Sequence, residues 1–423
     1  MVNKDALERY IVDKKEVAER LDIRKRDIEL TTSKEFIQVI YGPRRAGKSY
    51  LFLYNIRKKK IDEVLYLNFD DIRLDGWKGK DIYDSVPVFM EIFGRGPEMI
   101  MLDEVQNVDG WEKAVLTLYE SKRYDIFLTG SSSKLLAKEI DTSLRGRSLK
   151  QPLYPLSFSE YLRFKNKRIS VHPGTDEIIR IRSQLDEYLR YGSFPGIVRE
   201  SDSRERFYED YIDLVIYRDL VERYGISNLG VLKFLIRNIL RSYSKEFSLN
   251  KLYNTWTSMR YEAGKKTFYQ YMRYLEDVGF AILVRKFSRT ARSSSLSVPK
   301  VYLPDTGLAF YVMGDQIGRE MENAVLVELL RRNSKRAGMD VFYWKDHGLE
   351  IDFIICRRGE PVEIIQVTHS INPENEKREL APLEKFRKEH GGVRTTMITW
   401  TGEEDGPDWV SIVPMWKFLL GKG

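Results

Sequence analysis

Between about residues 36 and 153, short apolar runs alternate with amphipathic stretches. The runs FIQVIYG, EVLYLNF, EMIMLDE and DIFLTGS are rich in Ile, Val, Leu, Phe and Tyr, and helix-length segments separate them. Continuous apolar runs spaced in this way predict strands buried on both faces of a parallel α/β sheet. From about 154 to 225 the pattern turns polar and helical, broken at VHPGTD and YGSFPG, and predicts a helical lid. Three stripes at helical spacing follow: Leu229, Leu232, Ile236 and Ile239, then Leu249, Leu252, Trp256 and Met259, then Phe268, Met272 and Leu275. The alternation of Phe280, Ile282 and Val284 predicts a strand, SRTARSSSLSVP a flexible loop, and KVYLP a returning strand. Residues from about 318 to 423 return to mixed α/β. No repeat at solenoid spacing is present.

With 42% hydrophobic and 12% aromatic residues in 423, the chain buries a real core, which excludes a disordered or low-complexity protein. No apolar run approaches the ~20 residues that span a bilayer, and MVNKDALERYIVDKKEV lacks a secretion signal's apolar centre, so a cytoplasmic location is expected. The single cysteine, Cys356, excludes a disulfide framework and a Cys-rich zinc site. The histidines, His172, His347, His369 and His390, fall at no ligand spacing. Charge is uneven. Residues 226–300 hold fourteen Lys and Arg against four acids, a net of +10 in a chain whose total is +7. A basic segment in an otherwise balanced chain points to a polyanion as partner.

The sharpest chemical signal is Gly42-Pro43-Arg44-Arg45-Ala46-Gly47-Lys48-Ser49-Tyr50, which contains GxxxxGK[ST] after an apolar run and before a helical pattern. Gly42 and Gly47 let backbone N–H groups turn inward on phosphate oxygens at a helix N-terminus. Lys48 is placed to reach the β- and γ-phosphates, and the Ser49 hydroxyl to ligate Mg²⁺. The run EMIMLDE ends in Asp103, the second metal-holding residue expected from such a strand, and Glu104 follows it as the base that orients and deprotonates water. ATP, ADP and Mg²⁺ are thus the expected ligands.

At the tip of the next strand, Ser131 is the choice for a residue beside the γ-phosphate, with Thr129 and Ser132 as competitors. In SLRGR, Arg147 is the better candidate for an arginine finger and Arg145 the reserve. A finger acting in trans requires a homo-oligomer.

The stretches VIYGPRRAGKSYL, LYLNFDD, MIMLDEVQNVDGWE, FLTGSSSKLL, SLRGRSLKQPLYPLSFSEYL and YGSFPGIV together resemble archaeal-type ATPases of the AAA+ superfamily, the group with an AAA_14 module and a DUF4143 C-terminal region. The resemblance implies a P-loop ATPase placed before a winged helix and a restriction-nuclease-like fold. It also implies that part of the base pocket lies around Leu21–Ile28. The expected fold is α/β: a P-loop AAA+ parallel sheet over 1–158, a helical lid over 159–225, a winged helix-turn-helix over 226–310 and a mixed α/β nuclease-like domain over 318–423.

In the winged helix the third helix, about Gly264–Val278, buries its apolar stripe and presents Lys265, Lys266, Tyr269 and Arg273. The wing adds Arg285, Lys286, Arg289 and Arg292, which suits DNA held mainly by its backbone. Glu322, on an amphipathic helix, and Asp352 match a PD-(D/E)XK nuclease centre. The Glu-x-Lys positions, however, read Gln366 and Thr368, and Glu363 falls on the other face of that strand. Losing a carboxylate and the lysine predicts no metal-dependent cleavage. The leading expectation is a Mg²⁺-dependent ATPase acting on DNA. A nucleotide-gated switch that binds protein stands second, and an ATP-regulated nuclease third.

Overall fold

In the computed structural model, which describes residues 2–130, 144, 146–199, 203–288, 290–334, 336 and 338–422, the four apolar runs become four strands of one sheet. These are β1 (Ile37–Tyr41), β2 (Val64–Asn68), β3 (Met99–Asp103) and β4 (Asp125–Gly130). A fifth, β5 (Ser148–Pro152), completes a parallel sheet of order β2-β3-β4-β1-β5. The strand β5 escapes the hydrophobic pattern because it is partly exposed along its whole length, with Leu149 44% exposed. One face of the sheet packs Leu65, Ile100 and Leu128 under the helices Gly79–Phe93 and Trp111–Glu120. The other packs Ile40, Met101 and Phe127 under the helix Lys48–Lys58. Because β1 crosses over to lie beside β4, the C-terminal ends of β1, β3 and β4 share one sheet edge. Ligands of open parallel sheets bind at such an edge.

This sheet belongs to a first unit that runs to Leu153; the second unit takes Tyr154–Glu276 and Phe280 onward. In the second unit, the helices Leu229–Ser242, Leu249–Ser258 and Lys265–Asp277 match the three stripes, although Met259 lies past its helix and is exposed. They accompany a small antiparallel sheet of β6 (Lys245–Glu246), β7 (Ile282–Val284) and β8 (Lys300–Tyr302), ordered β6-β8-β7. The connection expected as a flexible loop instead contains the helix Ala291–Leu296. Thr290 starts it by accepting the Ser293 N–H at 3.2 Å.

The C-terminal sheet runs β13-β12-β11-β10-β9, from β9 (Met339–Asp346), β10 (Leu349–Arg357), β11 (Glu360–Val367), β12 (Arg394–Thr399) and β13 (Ser411–Pro414). Strands β9, β10 and β11 are antiparallel, whereas β12 and β13 join in parallel. The helix Ile317–Asn333, expected to be amphipathic, is buried on nearly all sides, from Met321 and Val325 to Ala324 and Val327.

The helices expected as a lid differ in their packing. Leu185, Tyr188 and Leu189 of the helix Thr175–Tyr191 share a core with Met321, Val325, Ile365 and Trp416, so this segment builds onto the C-terminal sheet. Its apolar stripe needs a partner face, and the apolar residues of the helix Ile317–Asn333, among them Met321 and Val325, supply one. The small sheet is tied in as well: the Tyr343 N–H on β9 donates to the Arg285 carbonyl (3.0 Å), and the Phe287 N–H to the Tyr343 carbonyl (2.7 Å). Among the described residues, no helix is long and apolar enough to cross a membrane.

Candidate nucleotide site

The loop after β1 is built for close backbone approach. A Cβ on Gly42 would stand 2.1 Å from the Leu153 carbonyl oxygen, so no other residue fits there. Gly47 takes φ +98° and opens the helix Lys48–Lys58, whose first turn has no acidic residue to compete with an anion. Arg45 also takes a positive φ, 62°. Pro43 and Ala46 are buried, Arg44 and Arg45 half-buried, and Tyr50 is exposed. Lys48 is only 5% exposed, and its ammonium donates to the carbonyls of Gly42 (3.1 Å) and Pro43 (3.3 Å). It stands 4.0 Å from the Glu104 carboxylate.

Leu21–Ile28 is strapped to this loop and its helix. The Arg26 guanidinium donates to the Ala46 carbonyl at 2.6 Å, and Arg57 donates to the carbonyls of Leu21 (3.4 Å) and Ile23 (3.0 Å).

Asp103 ends β3 fully buried, and three hydroxyls converge on it. Tyr66 donates at 2.8 Å, while Thr129 and Ser49 also hydrogen-bond its carboxylate. Burial, then the charge of Glu104, pushes the Asp103 carboxyl up, and the hydroxyls pull it back. The Ser49 hydroxyl and the Asp103 carboxylate are hard oxygen donors side by side, a set that fits Mg²⁺. Glu104 follows with φ +53°, a left-handed conformation that costs a non-glycine residue about 1 kcal/mol. Its N–H donates to the Thr129 hydroxyl (3.0 Å), and its carboxylate accepts from the Gln106 amide (2.6 Å). Thr129 therefore fixes Asp103 through its O–H and Glu104 through its oxygen.

Ser131, Ser132 and Arg145 lie outside the described residues. Arg147 stands away from its own loop. Its carbonyl accepts from Ile37, the first residue of β1, so it lies at the opposite sheet edge, ~15 Å along the strands. Its guanidinium pairs with Glu120 at 3.1 Å and lies over Tyr119. This placement holds the Arg147 guanidinium away from the phosphate loop of its own chain.

A family model described as an AAA domain (AAA_14) matches residues 34–162. Two domains of unknown function follow, DUF8612 over 182–317 and DUF4143 over 317–418. The chain is similar to "Uncharacterized protein MJ1544" of Methanocaldococcus jannaschii, 34% identical over 433 residues, which cover 99% of this chain and 96% of that one. This chain belongs to the AAA+ ATPase family that joins AAA_14 to DUF4143. The AAA+ chain is also similar to an uncharacterized protein of Haemophilus influenzae, 31% identical over 353 residues, covering 81% of this chain and 84% of that one. Among solved structures it is similar to AMPPCP-bound DnaA from Aquifex aeolicus, at 16% identity and a TM-score of 0.24 over 65% of this chain and 89% of that one, too remote to bear on function.

In the second unit of the AAA+ chain four of the basic candidates line two clefts, and Lys265 and Lys266 line neither. Lys265, Lys266 and Arg273 are exposed on their helix, and Arg285 and Arg292 are exposed beyond it. Arg273 and Arg285 line one cleft of about 480 Å³ with Asn250 and Tyr269. Lys286 and Arg292 line another of about 770 Å³. Arg289 lies outside the described residues.

Glu322, Asp352 and Gln366 meet at a third cleft, also about 770 Å³. The Asp352 N–H donates to the Gln366 amide oxygen (3.4 Å), and Gln366 in turn donates to Glu379 (2.9 Å). Thr368 donates instead to the Ser370 carbonyl (3.3 Å). Burial and the charge of Asp352 push the Glu322 carboxyl up to about 7, and burial also raises Asp352. Two residues here went unread in the sequence. Lys300 counts among the basic wing charges yet is 2% exposed, and Glu350 joins it from β10. The distance between 300, 322 and 350 along the chain leaves no local signal for either.

Proposed function

We propose that the chain binds ATP at residues 42–50, hydrolyses it with Glu104 as the base, and couples turnover to DNA. What carries the catalytic part is the meeting of Lys48, Ser49, Asp103, Glu104 and Thr129 at one sheet edge. The N–H groups of the loop and the helix start receive the phosphates, with Lys48 turning from the Gly42 and Pro43 carbonyls to the β- and γ-oxygens. Ser49 and Asp103 would hold Mg²⁺, which when bound neutralises charge on the phosphate chain. Glu104, steered by Gln106 and Thr129, orients the attacking water and accepts its proton.

The DNA part rests on the three helices and small sheet, read as a winged helix-turn-helix, and on the exposed Lys265, Lys266, Arg273, Arg285 and Arg292. The local net charge of +10 supports contacts to phosphates ahead of base edges. The test is ATP turnover with and without duplex, forked and single-stranded DNA across a salt series. Stimulation that fades steeply with salt supports the reading. One observation favours a second reading, a nucleotide-gated protein contact: Leu296 and Val298, which line one cleft beside the basic wing, are both exposed apolar side chains. Absence of stimulation by every DNA form would select that reading.

A further inference from the structure

At the cleft where Glu322, Asp352 and Gln366 meet, the most buried charge is a cation from another element. The Lys300 ammonium, delivered by β8, stands 2.7 Å from Glu350, 2.9 Å from Glu322 and 3.2 Å from Asp352. Tyr302, two residues on and on the same strand face, donates its hydroxyl to Glu322 at 2.6 Å. Burial by itself would strip the charge from this lysine, but Glu322, Asp352 and Glu350 outweigh it and hold the ammonium charged.

The ammonium lies within hydrogen-bond distance of all three carboxylates and so occupies the space between them. Among the described residues, no group of three or more carboxylate, thiol or imidazole donors is arranged to hold a metal.

We propose that Lys300 is the resident cation of this carboxylate centre, held in place of a divalent metal, and that it pins the small sheet to the helix Ile317–Asn333 and to β10. The fold's metal-dependent chemistry is thereby replaced by an internal ion cluster. Such a cluster contributes little when intact, but losing one partner leaves uncompensated charge in the interior.

Two measurements on the full chain without nucleotide test this. In a Mn²⁺ titration followed by electron paramagnetic resonance, wild type and Asp352→Asn should give the same curve. Lys300→Met should melt about 10 °C below wild type. The triple variant Lys300→Met/Glu322→Gln/Asp352→Asn, which neutralises the two buried acids and leaves only the half-exposed Glu350 charged, should recover most of that loss. Should Lys300→Met fail to fold, the triple variant and the Mn²⁺ comparison still decide. A Mn²⁺ ion bound by wild type and lost in Asp352→Asn would overturn the assignment. So would a Lys300→Met protein as stable as wild type, or a triple variant no better than the single one.

Discussion

Thr129 shows how much of the site depends on one hydroxyl. Its O–H satisfies Asp103 and its oxygen accepts the Glu104 N–H, so one side chain sets the proposed metal ligand and the proposed base together. Thr129→Val keeps the volume but strands a buried N–H and removes a donor from a buried carboxylate, each costing about 1–3 kcal/mol. ATP turnover should fall about 10- to 100-fold, with nucleotide affinity changed far less. Steady-state kinetics together with a binding titration would check this, and equal losses in both would point to simple disruption. At this scale the sequence was readable where backbone chemistry dictates residue type. Gly42, Gly47, Lys48 and Ser49 stand in a fixed pattern because the phosphate loop admits few alternatives. Partners that meet across strands leave no such pattern: Thr129 and Asp103 are brought together by β4 pairing with β3, and Lys300 reaches Asp352 only through the tertiary fold.

Among the elements, the helix Ile317–Asn333 carries a pH response. Glu320 on it is fully buried; one oxygen accepts the Gln316 N–H (3.1 Å), and the other has no donor among the described residues. Burial pushes its carboxyl from 4.5 up to about 7. Between those pH values the folded state holds a proton that the unfolded chain has released, so stability falls as pH rises through that window. Glu320→Gln should remove the fall and stabilise the protein above pH 7 by up to about 3 kcal/mol, read from denaturation at a series of pH values. The helix Lys265–Asp277 makes a separate prediction. Neutralising Lys265, Lys266 and Arg273 to Gln should weaken DNA binding and lower the log–log salt slope by about 2 to 3, as filter binding or anisotropy would measure. Elements were legible where burial imposes a pattern, as in the four buried strands β1 to β4 and the three helical stripes. The strand β5 and the helix Ala291–Leu296 were not, because an exposed edge strand and a serine-capped turn need no apolar pattern.

For the whole molecule, linear order proved a weaker guide than packing. The helix Thr175–Tyr191 follows the ATPase sheet in the chain, yet its apolar face completes the core of the C-terminal sheet. Family membership, the parallel sheet and the phosphate loop all point to the first unit as the place where nucleotide chemistry happens. The most direct test compares wild type, Glu104→Gln and Lys48→Ala for ATP binding and turnover in Mg²⁺. Glu104→Gln should bind ATP as wild type does and turn it over at least ~100-fold more slowly, while Lys48→Ala should lose binding. Wild-type turnover by Glu104→Gln, or undiminished ATP binding by Lys48→Ala, would contradict the account.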